Sequence, residues 1–402
     1  MHSRNMSKIV TLPNIYTVLW LIQILNSSYN FISDSLSVIE LYLLFGWSII
    51  VMFKGFNTSM FKNLKPLNIF FILLCFYGVL RIIDNEDLYI MGIHRLVNSR
   101  YFIISHLSSI VPIYVYYYYT AKGKITEKWI RIWSPIFVVS ALLVYYAAQQ
   151  KAMIMQLVDP EGFTNNSGYF VLSVLPALLF WKDKNIIKYL LMAIILSFVV
   201  MCMKRGAILI GALMLLLFIK DMLSKGHSGS KLINILFIVV LLFVGYSFIT
   251  NMMDTNDYFM QRIEATKEGN SSGRNVIYDH LWNYMVWNAD ILEILFGLGA
   301  DGTVKAIGQV AHNDWLEYFV DMGVLGMVIF MYMWISFFKM YRNYKGDELY
   351  KMALAMILIL LFVRTLFSMS LSDISIFVSC VFGFCLYNQS KSPLPKVRVL
   401  SI

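Results

Sequence analysis

Arg205, Arg274 and His312 are the residues of this chain whose types and settings could do chemistry. Arginine offers a planar fork that grips phosphate or carboxylate with two hydrogen bonds. Histidine is the natural proton acceptor near neutral pH. Arg205 stands in K-R-G-A at 204–207, between two apolar runs with almost no loop between them. A tight helical hairpin would hold it rigidly, with Gly206 permitting the turn. Arg274 stands in S-S-G-R at 271–274, ahead of a segment whose Ile277, Leu281, Tyr284, Met285 and Trp287 suggest one apolar face of a helix on a membrane surface. With Ser272 as N-cap, Arg274 falls in the first helical turn, where the helix dipole disfavours a cation and favours an anion. A residue in an electrostatically wrong place is a hint of function. His312 opens H-N-D-W-L-E, at the end of the chain's longest polar stretch.

Around these three stand weaker candidates. Asn165 and Asn166, in F-T-N-N-S-G at 163–168, fit helix capping and could also hold sugar hydroxyls. Lys204 accompanies Arg205. Asn313 follows the histidine, and Asp314 with Glu317 fits a capping box opening the next helix. Glu317 and Asp321 then share one helical face, and Gly323 and Gly326 would let another helix pack closely. Arg95, Arg100 and Arg364 are further ligand candidates from topology. F-G-L-G-A-D-G at 296–302 is a flexible turn without the Lys-Ser/Thr of a phosphate loop. No zinc motif is present, and no cofactor is expected. Cys75, Cys202, Cys380 and Cys385 all fall in apolar runs and read as small buried hydrophobes.

What must position these residues is a membrane bundle. Of the 402 residues, 59% are hydrophobic, and the mean hydropathy is +0.66. No soluble core of this length could bury so much. The runs lack the strict alternation of a transmembrane barrel. The sequence therefore predicts an all-α polytopic membrane protein with about 12 spans. They fall at roughly 11–31, 35–53, 67–83, 101–120, 132–149, 167–181, 186–203, 206–220, 232–250, 314–338, 351–369 and 372–388. The span at 314–338 is long and should tilt. Residues 1–402 form one integral membrane domain, with 251–313 as a large outer loop between spans 9 and 10, carrying a short interfacial helix. The first run reads as a retained helix, not a signal peptide. With both termini inside, 22 of the 33 Lys and Arg fall on the inner side and 11 on the outer. The net charge of +9 thus reflects topology and not nucleic-acid binding. The inner cations are mostly lysine, whereas seven of the eleven outer ones are arginine: Arg81, Arg95, Arg100, Arg205, Arg262, Arg274 and Arg364. An arginine-rich outer rim over an apolar bundle suits a large anionic head group whose tail lies in lipid. The histidine would deprotonate an attacking sugar hydroxyl while the arginines hold a leaving pyrophosphate.

The order R-G-A, S-G-R, G-x-G and H-N-x-x-L with Gly323 and Gly326 downstream resembles the O-antigen ligase and Wzy-type O-antigen polymerase superfamily. The motifs span roughly 163–330, and the twelve-span layout fits the whole chain. The resemblance implies a GT-C type, inverting, metal-independent glycosyltransferase of the bacterial inner membrane, with its termini cytoplasmic. Its donor would be an undecaprenyl-pyrophosphate-linked glycan. Arg205 and Arg274 would bind pyrophosphate and His312 would be the base. The remaining candidates would line the substrate site. Where the family has a small serine before the first arginine, this chain has Lys204. The acidic H-N-D-W-L-E form looks more like a polymerase, which extends a lipid-linked repeat unit. A ligase acting on lipid A-core is the alternative, and a lipid-linked oligosaccharide flippase ranks below both. Expected partners are the glycan donor and acceptor, membrane lipids, a chain-length regulator and a flippase, and no nucleic acid.

Overall fold

The computed structural model describes residues 11–58, 60–85, 88–89, 96–97, 99–156, 165–181, 185–224, 228–255, 259–260, 263–264 and 273–389. Arg95, Arg262, Ser271 and Ser272 lie outside them. The described chain is helical apart from one two-residue pairing, β1 (Leu88–Tyr89) with β2 (Leu96–Val97), antiparallel. The first helices are α1 (Leu12–Tyr29), α2 (Asp34–Asn57), α3 (Lys65–Asp84), α4 (Tyr101–Ala121) and α5 (Glu127–Gln156). Two short helices follow, α6 (Gly168–Leu172) and α7 (Leu175–Leu178), then α8 (Asn185–Met201), α9 (Arg205–Ser224) and α10 (Ser228–Thr255). The region before the last three helices, expected from the sequence to be the outer loop, holds α11 (Arg274–Asn283), a single π turn over Tyr284–Asn288, α12 (Ile291–Phe296) and α13 (Gly302–Ile307). The last helices are α14 (Asp314–Arg342), α15 (Glu348–Thr365) and α16 (Ile376–Asn388).

These runs are helical because a segment in lipid must satisfy its backbone internally, and they are apolar on most sides for the same reason. Among the described residues six helices are long and apolar enough to cross a membrane: Asp34–Asn57, Lys65–Asp84, Glu127–Met155, Arg205–Leu223, Ile238–Thr255 and Asp314–Arg342. The protein is thus a polytopic helical membrane protein. The two expected spans at 167–181 and 372–388 are not continuous helices across the bilayer. The first is split into α6 and α7, and Leu172, Val174, Leu175, Ala177 and Leu178 are fully buried. The second is the 13-residue α16, about 20 Å long against a hydrocarbon core of about 30 Å. Both lie inside the bundle, where protein can satisfy the freed backbone. α16 packs closely on α4, and Phe137, Phe170, Phe180, Phe377 and Phe384 fill the space around it.

The long tilted span expected at 314–338 is instead a sharp bend. Gly323 has φ 62° and ψ −160°, which no helix contains. Trp315 and Tyr318 touch Phe330 with ring centroids 4.8 and 5.0 Å away. In a straight helix Tyr318 and Phe330 would stand about 18 Å apart along the axis. The segment 314–322 therefore folds back against 324–342. Only the second part is a span. The bend frees two carbonyls, and the outer loop takes them: Leu298 N donates to Val320 O at 2.8 Å and Gly299 N to Asp321 O at 3.0 Å. A Cβ at Gly323 would sit 2.6 Å from Gly297 N. The partner Gly323 admits is thus the F-G-L-G turn and not a second helix, while Gly326 lies against Met322 and the Tyr318 carbonyl of the folded-back segment.

Candidate active site

Three cations meet at one end of the bundle. α8 ends at Met201 and α9 begins at Arg205, so the hairpin is as tight as expected. The left-handed residue that turns it is Met203, at φ 53°. Gly206 serves packing instead, because a Cβ there would overlap the Tyr169 hydroxyl and stand 3.3 Å from Phe367 Cβ. This close approach draws α9 onto α6 and onto the turn after α15. Lys204 Nζ reaches Asn166 Oδ1 at 2.7 Å. Arg274 donates to the Phe367 carbonyl at 2.5 Å. The Arg364 guanidinium lies 4.6 Å above the Tyr169 ring and is tied to the Asp373 side chain and carbonyl. Tyr169, with no hydrogen-bond partner for its hydroxyl among the described residues, is the hub on which Gly206 and Arg364 converge, within electrostatic reach of Arg274. The expected N-cap Ser272 gives way to Gly273, at φ 77°, and Arg274 is the first residue of α11.

His312 sits at the mouth of this cluster. Its φ of 55° is left-handed, which sets its backbone apart from the helix that Asn313 caps. The residue is exposed, yet protein crowds the other sides of the ring. That loss of solvent, followed by the charges of Arg274 and Lys204, pushes its pKa below the ordinary histidine value. A ring so placed is neutral at pH 7 and free to accept a proton.

The acids beneath position the histidine. Asn313, not Asp314, caps α14, accepting from Trp315 N and Leu316 N at 2.9 and 3.2 Å. The capping box with Glu317 does not form. Asp314 is fully buried and receives Ser370 N and Leu371 N. Glu317 receives the Thr303 hydroxyl and Ala311 N, both at 2.7 Å. Asp321, on the same face as expected, receives Gly302 N at 2.8 Å. Their carboxylates hold the chain on either side of His312 in place, through α13 and the turn after α15. Asn313 Nδ2 also reaches the Leu366 carbonyl at 3.3 Å.

The structure thus gathers Lys204, Arg274, His312, Asn166, Asn313 and Arg364 at one rim. Arg205 opens α9 beside Lys204 and is half-buried. Arg100 is exposed at the start of α4. Asn165 turns inward, accepting Ser167 N and donating to Gln149; it makes a turn into α6, whose N-cap position is Ser167, and does not cap the helix itself. Arg81 is a structural cation, its Nε 3.1 Å from Asp301 Oδ2 and its side chain fully buried. Two inward face residues of α11 and its π turn behave as expected, with Leu281 and Met285 buried, but Trp287 points outward at 79% exposure. Sequence reasoning misses Tyr169 because a tyrosine ahead of an apolar run carries no signal of its own.

Residues 190–331 match a family model described as O-Antigen ligase. The match runs from α8 into the second part of α14 and takes in Arg205, Arg274 and His312. It bears out the resemblance to the O-antigen ligase and polymerase superfamily. No curated protein matches the chain.

Proposed function

We propose that the protein is a membrane glycosyltransferase that uses a polyprenyl-pyrophosphate-linked glycan as donor and extends another lipid-linked repeat unit. The observation that carries this reading is the meeting of Arg274, Lys204 and Arg364 beside an exposed histidine. The acceptor hydroxyl oxygen attacks the anomeric carbon as its proton passes to a ring nitrogen of His312. The bond from that carbon to the pyrophosphate oxygen breaks, with inversion at the carbon. The leaving oxygen takes the electron pair, and its charge develops against the cations, Arg205 included. This chemistry requires no metal or cofactor. The apolar groove between α8, α9 and α10, about 240 Å³ and lined by Leu196, Val200, Ile208 and Phe248, suits the donor's tail. Arg205 stands three residues before Ile208, on the same helical stripe.

In this reading the chain crosses the bacterial inner membrane many times, with both termini cytoplasmic and the site on the outer face. The second reading is ligation to lipid A-core, favoured by the description of the matched family. The glycolipids of a deletion strain separate the two. One repeat unit on lipid A-core marks a polymerase. Polymer stranded on the polyprenyl carrier marks a ligase. An unchanged surface glycan overturns both.

A further inference from the structure

The outer segment around α12 has the wrong surface for a loop in water. None of its six residues is buried, and its apolar side chains stand open: Ile291 at 75%, Leu292 at 65%, Phe296 at 49% and Leu295 at 43% exposure. Trp287 precedes them. Burying large apolar side chains is strongly favourable, so a water-facing position forfeits several such contributions at once. The helix is nevertheless well built. Asp290 and Glu293 form a complete capping box, with bonds of 2.8 and 2.9 Å. Something other than this chain's core covers its face.

The neighbours of α12 say what that is. The turn after Leu295 abuts Gly323, next to Val324, Leu325 and Val328 on α14, all exposed. The Phe296 carbonyl accepts the Tyr77 hydroxyl at 2.5 Å. Tyr77 adjoins Phe76, Leu80 and Ile83 on α3, again all exposed. Tyr77 lies seven residues before the end of α3, about 10 Å inward along its axis. The open face of α12 is therefore continuous with the lipid-facing sides of two spanning helices, and below their outer limit. We propose that α12 is a re-entrant edge sunk among the acyl chains of the outer leaflet, so that part of the outer loop is membrane and not solvent. Through the π turn it fixes the height of α11, and with it Arg274, relative to the lipid head groups. Its partner is lipid, whatever reaction the site performs.

The test places single cysteines at Leu292 and Asp279 in the full chain with Cys75, Cys202, Cys380 and Cys385 replaced by alanine, in lipid nanodiscs. A membrane-impermeant maleimide should label Asp279→Cys and leave Leu292→Cys unreacted. A bimane on the latter should be quenched by nitroxides on lipid acyl chains and not by aqueous iodide. Equal labelling at the two positions, or quenching by iodide, overturns the proposal. So does protection accompanied by disulfide-linked dimers through position 292, which would make a second copy the cover. If the alanine background does not fold, the native protein serves, since three of its four cysteines are buried and Cys75 is partly so; labelling is then read above that background.

Discussion

A base that is neutral at pH 7 stops working only when it gains a proton. Loss of solvent, then Arg274 and Lys204, lower the His312 pKa, so transfer should hold through neutral pH. It should fall as pH drops through a value below the ordinary 6.5 or so. Lys204→Ala removes one of the cations and should move that acid limb to higher pH, read from the kcat profile of purified protein; a limb that stays or moves down would contradict the assignment. Arg274→Lys keeps the charge but not the fork, and its transfer rate should drop by roughly 10²–10³-fold. His312→Ala should abolish polymer in cells while the protein still inserts, checked by glycan ladders and membrane immunoblots. At this scale the sequence is informative where charge stands in an awkward place. Arg274 at a helix start and Lys204-Arg205 on a tight turn between apolar helices both announce themselves. Tyr169 does not, because its meaning depends on Arg364, which lies 195 residues away in the chain.

Elements are legible by kind but less so by shape. The pattern D-x-x-E at 314–317 satisfies a capping box, yet both acids are drawn to backbone amides that only the tertiary fold supplies. The run 314–338 is apolar enough for one span, and nothing in its periodicity marks the bend at Gly323. The signal is the glycine itself, which reads as a packing contact and turns out to be a left-handed turn. Gly323→Ala should cost roughly 1–3 kcal/mol for the backbone alone, with the overlap on Gly297 added, and should lower the thermal midpoint in detergent. Gly206→Ala tests a different junction. Its Cβ would displace the Tyr169 ring and with it Arg364, so transfer should weaken more than stability does. Gly46→Ala, with no atom within 4 Å of the added carbon and far from the cation cluster in the chain, is the control that should leave transfer unchanged.

For the molecule as a whole, composition and the Lys/Arg asymmetry suffice to read a helical membrane bundle with its chemistry at one end. They cannot reveal which apolar runs stay inside it. α16 is as apolar as a span, but Ile376 to Leu386, eleven of its 13 residues, are buried by protein, and burial of that kind leaves no mark on hydropathy. Sidedness is directly testable. Asp279→Cys should react with an impermeant reagent applied to spheroplasts, and Asn343→Cys only after the membrane is opened; the reverse would invert the whole orientation. Arg81 and Asp301 join α3 to the outer region across 220 residues of sequence. Asp301→Asn would leave a buried guanidinium without its counter-charge, at about 3–5 kcal/mol, seen as a lower thermal midpoint.

The bond from Arg274 to the Phe367 carbonyl also sets an order of events during synthesis. Phe367 lies 93 residues further along the chain, so the ribosome finishes the outer loop well before the carbonyl that steadies it exists. Until α15 and α16 have left the insertion machinery, the arginine has no seat, and the site of the proposed transfer is incomplete. Two co-expressed fragments divided near Lys345 should each insert alone without activity, and regain it together.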